Sequence, residues 1–365
     1  MTDLGKPSRR AVPNGWLAIG LLAFGLASAE LALQIRSQIK TGTSLLNPLR
    51  QVSTYIVDPA TGLSVYRPNS VIGGTDIRIR TNRYGLRSPD IPARPLPNEL
   101  RIAVIGASTV AGVYTPTNEQ TFSQRLAVRL RAHYPDRPVN VIDAGIPGYW
   151  LHDMHRMLDV RVVNLRPRLI ILYAGSNDIA GLCQVRSRVR PNTRIALPYP
   201  ALEKALLLRD ITKKNTIAIR TSHLLSPSGP AKPDTFDAAY LASYREELRA
   251  MFRTARQRGI DMIMVTSVKA YRKEMPLIQQ EQVARTALSY YDDCFSLDGI
   301  YRAERSLTGV QREVAAEYGQ RFVDISKLVP GGRRHFLDST HLTPLGEQAV
   351  AKAIYPHLLA ALGPN

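Results

Sequence analysis

RIAVIGAS, which spans residues 101–108, is the stretch that decides the fold. It is a short apolar run that ends at a glycine and leads into a serine. Such a run is typical of a strand in a parallel sheet, because both faces of a parallel sheet are buried. Further strands are predicted at residues 139–144, 168–174, 260–266 and 321–325.

Segments with helical periodicity separate these strands. They cover residues 121–133, 151–163, 238–258, 302–318 and 343–362. Strands that alternate with helices predict right-handed crossovers and a parallel sheet covered on both faces, which is an α/β fold. Residues 182–235 and 267–300 show no sustained period, and we expect them to form two irregular insertions.

The N-terminus combines a basic tail with an uncharged apolar segment. Two interpretations stay open: a signal peptide cleaved after Ala29, or an uncleaved signal-anchor helix over residues 16–36. We favour the anchor. The basic residues 1–15 then form a cytoplasmic tail, and the chain is a single-pass protein of the cell inner membrane with its catalytic domain on the periplasmic side.

Residues 37–100 are rich in proline, glycine, asparagine and serine, which indicates a linker and an irregular module. Only short runs there have β character, such as residues 75–81, where isoleucine alternates with arginine. The regular pattern begins after this module, so we expect the catalytic domain to span residues 101–362.

The net charge of +18 indicates a strongly basic surface. Such a surface is either simply solvated or contacts anionic lipid headgroups or an acidic polymer. The arginines are spread along the chain, and no zinc-finger, helix-turn-helix or RNA-binding motif occurs, so we expect no nucleic-acid partner.

The chain contains two cysteines, Cys183 and Cys294. They form no CxxC motif and no cluster with histidine, so we expect no metal site, and the sequence points to no cofactor. In an exported domain the two cysteines either form one disulfide or remain separate thiols, and their spacing does not decide between these alternatives.

Ligands of a parallel α/β sheet bind beyond the carboxyl ends of the strands. Four polar or glycine-containing turns are expected at that edge: residues 106–109, 145–149, 175–178 and 338–342. Together they offer a hydroxyl, an imidazole, a carboxylate, an amide and backbone donors, which are the groups that acyl transfer from an ester requires.

Each group has a specific expected role. Ser108 is the candidate nucleophile, His341 the base that removes its proton, and Asp338 the carboxylate that orients the imidazole. The backbone N–H groups of Ser108 and Gly148 and the side-chain amide of Asn177 are the candidate donors of an oxyanion hole.

These blocks resemble those of the SGNH hydrolases, also called GDSL-type lipases and esterases. The resemblance covers residues 101–362 and rests on the serine turn, Gly148, the GSND turn at residues 175–178 and the DSTH block at residues 338–341. Ala107 departs from the pattern, since the family usually has aspartate before the serine. The resemblance implies a three-layer α/β/α flavodoxin-like fold and hydrolysis of O-acyl esters of carbohydrates or lipids.

The leading hypothesis is therefore a membrane-anchored O-acyl esterase, most plausibly a deacetylase of a cell-envelope or exported glycan. One alternative is a lipid or thioester hydrolase, or an acyltransferase with the same triad, whose acyl groove would lie in residues 182–235. Another is a non-catalytic, membrane-tethered binding module built on a hydrolase fold.

Overall fold

The computed structural model describes residues 14–41, 54–183, 235–291 and 294–363. The predicted insertion at residues 182–235 therefore lies almost entirely outside the described residues, as does most of the predicted N-terminal tail.

A five-stranded parallel sheet forms the centre of the described structure. Its strands are β5 (Leu100–Gly106), β6 (Val139–Gly145), β7 (Leu169–Ala174), β8 (Asp261–Thr266) and β9 (Arg321–Val323). They lie in the order β6-β5-β7-β8-β9, which is the flavodoxin-like order. Every residue of β5 and β7 is buried, which explains why these strands are apolar except at Arg101 of β5.

Helices cover both faces of this sheet and confirm the predicted three-layer α/β/α fold. The helices of the described structure are α1 (Asn14–Thr41), α2 (Phe122–His133), α3 (Leu151–Met157), α4 (Ala238–Gln257), α5 (Leu277–Tyr290), α6 (Leu297–Glu317) and α7 (Pro344–Leu362), and α1 is described separately below. Helices α2 and α7 pack together in one layer, whereas α4 packs against α3 and α6 in the other.

The expectation that residues 267–300 are irregular is wrong. Helix α5 lies within this range. Its Val283 and Ala284 are buried, and so is Ala287 one turn later, which is the spacing of an amphipathic helix. Helix α6 also begins earlier than predicted, because the Ser296 hydroxyl accepts a hydrogen bond from the N–H of Gly299 and caps the helix.

The proline- and glycine-rich module contains two antiparallel hairpins. Their strands are β1 (Tyr55–Val57), β2 (Ser64–Tyr66), β3 (Val71–Gly73) and β4 (Arg78–Arg80). The module is packed against the main core, since Val65, Tyr66, Leu86 and Ile91 are buried with it. The predicted β run at residues 75–81 includes β4.

Arg87 joins this module to the loop that follows β5. Its guanidinium is buried and donates hydrogen bonds to the carbonyl groups of Ala111 (2.9 Å), Gly112 and Thr115 (2.8 Å). Carbonyl groups of an irregular loop need such donors when they are buried. The module therefore helps to fix the backbone just downstream of Ser108.

Helix α1 contains an apolar segment, Leu17–Arg36, that is long enough to cross a membrane. Large apolar side chains along it are exposed, and Phe24 is 73% exposed. By length and composition the segment is either a membrane anchor or a signal sequence.

Cys183 and Cys294 form a disulfide, with their Cα atoms 5.7 Å apart. It links the segment after β7 to the residues just before α6. Of the two alternatives left open by the sequence, the structure shows the paired form.

Candidate active site

Ser108 lies two residues beyond the end of β5, on a tight turn. The turn is helical, since the N–H of Ala111 donates to the carbonyl of Ala107 at 3.0 Å. Gly106 must be a glycine here, because a Cβ would collide with the Val110 side chain and lie 2.7 Å from the Tyr173 carbonyl. The packing of this turn places the Ser108 hydroxyl at the carboxyl edge of the sheet.

His341 lies between Ser108 and Asp338. Its Nε2 is 2.8 Å from the Ser108 Oγ, and its Nδ1 is 2.7 Å from the Asp338 Oδ2. The imidazole and the carboxylate are 22% and 18% exposed, so the site is sheltered but reachable from solvent. This chain of hydrogen bonds is the geometry in which an imidazole can take a proton from a serine.

Hydrogen bonds within the loop that carries His341 and Asp338 hold its shape. The Asp338 Oδ1 accepts hydrogen bonds from the N–H groups of Thr340 and His341, each at 2.8 Å. The N–H of Leu337 donates to the carbonyl of His341 at 2.9 Å, and α7 begins just afterwards, capped by Thr343. The aspartate thus shapes the loop as well as holding the ring.

The Asp338 carboxyl is stabilised as a carboxylate. Burial alone would raise its pKa, but the hydrogen bonds and charge of His341 and the backbone N–H groups outweigh burial and lower the pKa. An ionised Asp338 keeps Nδ1 of the imidazole protonated, which leaves Nε2 free to accept the proton of Ser108.

Gly148 and Asn177 come from the strands on either side of β5. Gly106 is paired with Gly145 of β6 and with Tyr173 of β7, so the three turns start from the same level of the sheet. Gly148 is exposed and has a φ of +84°, a conformation that favours glycine.

The Asn177 amide links these two turns. Its Nδ2 donates to the carbonyl of Tyr149 at 2.9 Å, which brings the asparagine beside the Gly148 turn. An amide nitrogen has two hydrogens, so the second remains available for a ligand. Gly148 and Asn177, two of the three candidate oxyanion donors, are therefore neighbours.

Asp178 braces the same turn. Its Oδ1 accepts hydrogen bonds from the N–H of Leu151 and from the Tyr240 hydroxyl, both at 3.0 Å. Burial raises its pKa to about 6. The residue acts through the backbone and does not reach Ser108 by any hydrogen bond among the described residues.

Sequence reasoning missed Lys269, which supports the asparagine turn from the side of β8. Its Nζ donates to the Ser176 Oγ at 2.6 Å, and the Tyr291 hydroxyl donates to the Ser176 carbonyl at 3.0 Å. The N–H of Ala270 also donates to the carbonyl of Ser339 at 3.0 Å. The segment after β8 therefore contacts both the asparagine turn and the loop of His341.

A signal for this segment was present in the sequence. Lys269 comes three residues after the end of β8 and is the one cation in the mainly apolar residues 260–270. The turn after β8 carries no recognised motif, so the sequence does not identify it as part of the site.

Tyr114 was also missed. Its ring meets the His341 ring edge-on, with the centroids 5.1 Å apart, and its side chain is 44% exposed. It therefore forms one wall of the entrance to the imidazole. No sequence signal marks it, because it lies in a loop without regular pattern.

No group of three or more histidine, cysteine, aspartate or glutamate side chains within the described ranges is arranged to hold a metal ion. The chemistry available at this edge is that of the hydroxyl, imidazole, carboxylate and amide groups described above.

Comparison with known proteins identifies the family of this chain. The sequence model of the GDSL-like lipase/acylhydrolase family matches residues 104–349. No curated protein matches the chain.

Several solved structures are similar at low identity. A lipase/acylhydrolase from Enterococcus faecalis has 17% identity and a TM-score of 0.43, and the match covers 73% of this chain and 98% of that one. A catalytic mutant of an acetylxylan esterase from Geobacillus stearothermophilus has 15% identity and a TM-score of 0.43, with 71% and 93% covered.

The family match includes four of the five sheet strands in full and the last three residues of β5, together with every turn of the candidate site, and it spans well over half of the chain. This protein therefore belongs to the GDSL-like lipase/acylhydrolase family and is a hydrolase that acts on esters.

Proposed function

We propose that the chain is a serine esterase that removes O-acyl groups, acetyl in particular, from a cell-envelope or exported glycan. The observation that carries this proposal is the continuous hydrogen-bond path from Ser108 through His341 to Asp338. The Ser108 hydroxyl is a poor nucleophile until a base removes its proton, and His341 is within reach of it.

In the proposed reaction the Ser108 Oγ attacks the acyl carbon while its proton passes to Nε2 of His341. Asp338 stabilises the imidazolium that forms. The tetrahedral intermediate then collapses, the sugar oxygen takes the proton from His341 and leaves, and Ser108 carries the acyl group. Water, activated by His341, releases the acid and restores the serine.

The negative charge on the tetrahedral intermediate needs donors that are already in place. We assign this role to the N–H groups of Ser108 and Gly148 and to the Asn177 amide. The hydrogen bond from Asn177 to the Tyr149 carbonyl supports this assignment, because it fixes the amide beside the Gly148 turn.

A glycan substrate is favoured by the strongly basic chain, which suits an acidic polymer. The alternative of a lipid or thioester hydrolase, or an acyltransferase, depends on an acyl groove at residues 182–235, nearly all of which lie outside the described residues. Since the chain is an ester hydrolase, the alternative of a non-catalytic binding module is not retained.

We further propose that α1 is an uncleaved anchor and that the catalytic domain lies outside the cytoplasm. The exposed apolar side chains of α1 and the disulfide support this location, because disulfides persist in oxidising compartments. Extraction of membranes with alkaline carbonate, followed by protease treatment of spheroplasts, tests it. The full-length chain should stay in the pellet and be degraded from outside. A soluble or protected chain contradicts the location.

The enzymatic test uses the full-length chain purified in a neutral detergent. Wild-type protein should release p-nitrophenol from p-nitrophenyl acetate, and the Ser108→Ala variant should not. Acetate release from an acetylated polysaccharide then tests the glycan substrate. Activity that rises with acyl-chain length would favour the lipid alternative, and equal hydrolysis by both proteins would refute the nucleophile.

A further inference from the structure

A cavity of about 890 Å³ lies beside the candidate active site, beyond the carboxyl ends of β7, β8 and β9. Helix α6 forms one wall, and the segments after β8 and β9 form the others. Its lining includes Gly175, the first residue of the asparagine turn. Cavities of roughly 300–1,000 Å³ are typical of small-molecule sites.

The charge of this cavity is unbalanced. Six cationic side chains line it, against three carboxylates. The cations are Lys269, Arg272, Lys273, Arg305, Arg312 and Lys327. The carboxylates are Glu274, Glu304 and Asp324.

The two cations deepest in the cavity have neutral hydrogen-bond partners. Lys269 is 4% exposed and donates to the Ser176 hydroxyl, whereas Arg272 donates to the carbonyl groups of Tyr271 and Val329. Burial lowers the pKa of both Lys269 and Arg272, because desolvation disfavours the charged form by more than the nearby Glu304 charge favours it.

The carboxylates compensate these charges only in part. Glu304 accepts a hydrogen bond from the Tyr271 hydroxyl at 2.6 Å, and its charge favours the protonated form of Lys269. Asp324 is held by the Thr266 hydroxyl and the N–H of Ser326. Both acids therefore accept hydrogen bonds from neutral donors, while their charges act on Arg272 and Arg312 only through space.

Two exposed cations line the outer part of the cavity, which we call its rim, and no ion pair neutralises them in the described residues. Arg305 and Lys327 are exposed, and neither forms an ion pair with a carboxylate in the part of the chain that the structure describes. Lys273 differs, because it approaches Asp298 at 3.9 Å. Positive charges around a concave, low-dielectric cavity attract anions strongly.

We propose that this cavity binds a small anionic ligand through a carboxylate or phosphate group held by Lys269, Arg272 and Arg305. Guanidinium and ammonium groups are the side chains that bind such oxyanions. The ligand is either an acidic sugar of the proposed glycan substrate or a separate small anion. This proposal does not require the esterase mechanism to be correct.

The position of the cavity links its ligand to the candidate active site. Lys269 lines the cavity and also holds Ser176, next to Asn177. If the anion belongs to the substrate, a chain of sugars would run from the cavity past the asparagine turn towards Ser108. If it is a separate molecule, it would neutralise the cavity without occupying the catalytic residues.

Calorimetric titration of the full-length protein in neutral detergent tests the proposal. Three probes are used: trigalacturonic acid, inorganic phosphate and the neutral xylotriose. We expect the anionic probes to bind and xylotriose not to bind at this site, with affinity that falls as salt is raised. If only trigalacturonic acid binds, the ligand is an acidic sugar. If phosphate binds as well, a separate small anion is sufficient to occupy the cavity.

Two double variants distinguish the effect of the cations that line the cavity from the effect of the overall net charge. Arg305→Gln combined with Lys327→Gln removes two rim cations, whereas Arg168→Gln combined with Lys352→Gln removes two exposed cations outside the cavity. The first double variant should bind the anionic probes about tenfold more weakly, and the second should bind like the wild type.

Equal loss of affinity in both double variants would overturn the proposal, as would binding of xylotriose as tightly as trigalacturonic acid or no binding of either anion. The Ser108→Ala variant should bind the anions normally, since the serine is not part of the cavity. Failure of the esterase assay would therefore refute the proposed function without affecting the anion-binding result. Failure of the titration would refute the anion site without affecting the esterase assay.

Discussion

At His341, two hydrogen bonds fix the direction in which a proton can move. Nδ1 faces a carboxylate with a lowered pKa and Nε2 faces the Ser108 hydroxyl, so the ring is oriented to accept a proton from serine only. The same carboxylate accepts two backbone N–H bonds and thereby sets the loop. Chemical and structural roles therefore coincide in Asp338.

Replacing Asp338 with Asn should lower kcat on p-nitrophenyl acetate by about 10³–10⁴, because an amide neither stabilises the imidazolium nor favours the required tautomer. KM should change little, since Asp338 does not contact the substrate in the proposed mechanism. Steady-state kinetics measure both. Asp159→Asn, on an exposed position, is the control and should match the wild type. A kcat for Asp338→Asn equal to that of the control would remove Asp338 from the mechanism.

Lys269 should act by positioning the asparagine turn. We expect Lys269→Met to lower kcat about tenfold, because small displacements of an oxyanion donor are costly. Ser176→Ala removes the same hydrogen bond from the other side, so it should have a similar effect, and the double variant should be no worse than either single one. Kinetics on the three variants measure this coupling, and fully additive losses would contradict it.

The sequence could predict which turns lie at one edge, because each follows a parallel strand. The motifs around Ser108, Gly148, Asn177 and His341 are visible as sequence blocks. The sequence marks Lys269 as a lone cation, but its hydrogen bond to Ser176 could not be predicted, since it depends on a side chain reaching from the segment after β8 to the turn after β7. Such contacts are a property of the packed sheet and not of residue spacing.

Among the elements, α7 and α2 are joined by a buried acid. The Glu347 Oε1 accepts a hydrogen bond from the Thr115 hydroxyl at 2.7 Å, and its Oε2 accepts one from the N–H of Phe122 at 2.8 Å. The contact holds the start of α2 against α7, close to the loop that Arg87 binds. Burial raises the pKa of Glu347 from 4.5 to about 8.

This shift predicts a pH dependence of stability. Because the pKa in the native state is above that of the unfolded chain, the native state binds more protons between these values, and Glu347 makes the fold less stable as the pH rises through that window. Glu347→Gln stays uncharged, so its free energy of unfolding should fall less than that of the wild type between about pH 5 and pH 8. Urea titrations at several pH values measure this, with Glu313→Gln as an exposed control. Parallel pH profiles for Glu347→Gln and the wild type would contradict the prediction.

Helix α5 illustrates why some elements are hard to predict. Its buried face uses small and β-branched residues, Ala284, Ala287 and Val283, and carries no strong helix-start signal beyond Pro276. Strands β5 and β7 are easier to predict, because complete burial makes nearly every position apolar. Tertiary burial decides these cases, so a short apolar strand is more visible in sequence than a weakly amphipathic helix.

Across the whole molecule, the disulfide closes a loop of 111 residues that includes α4 and β8. Cross-linking so long a loop restricts the unfolded chain, and native disulfides of this kind typically stabilise by about 2–4 kcal/mol. We expect replacement of both Cys183 and Cys294 with Ser to lower the Tm measured in non-reducing buffer by several degrees. Wild type in reducing buffer should match the variant. An unchanged Tm in both experiments would mean that the bridge does not stabilise the fold.

The parallel sheet and its two covering layers follow from the alternation of strands and helices, whereas the flavodoxin-like arrangement was implied by the resemblance to the SGNH hydrolases. The contribution of residues 55–99 was not predictable, because Arg87 is buried only through a contact with a loop 24 residues or more further along the chain. We propose that this module belongs to the catalytic unit and supports the loop after Ser108, while residues 101–362 carry the chemistry.

The most direct test of the central claim is covalent labelling of the full-length chain with a fluorophosphonate, followed by mapping of the adduct by mass spectrometry. The account predicts one adduct, on Ser108, formed rapidly by the wild type and at a rate reduced by several orders of magnitude in His341→Ala, because the serine then has no base. An adduct on another serine, no adduct on the wild type, or an equal rate in His341→Ala would contradict it.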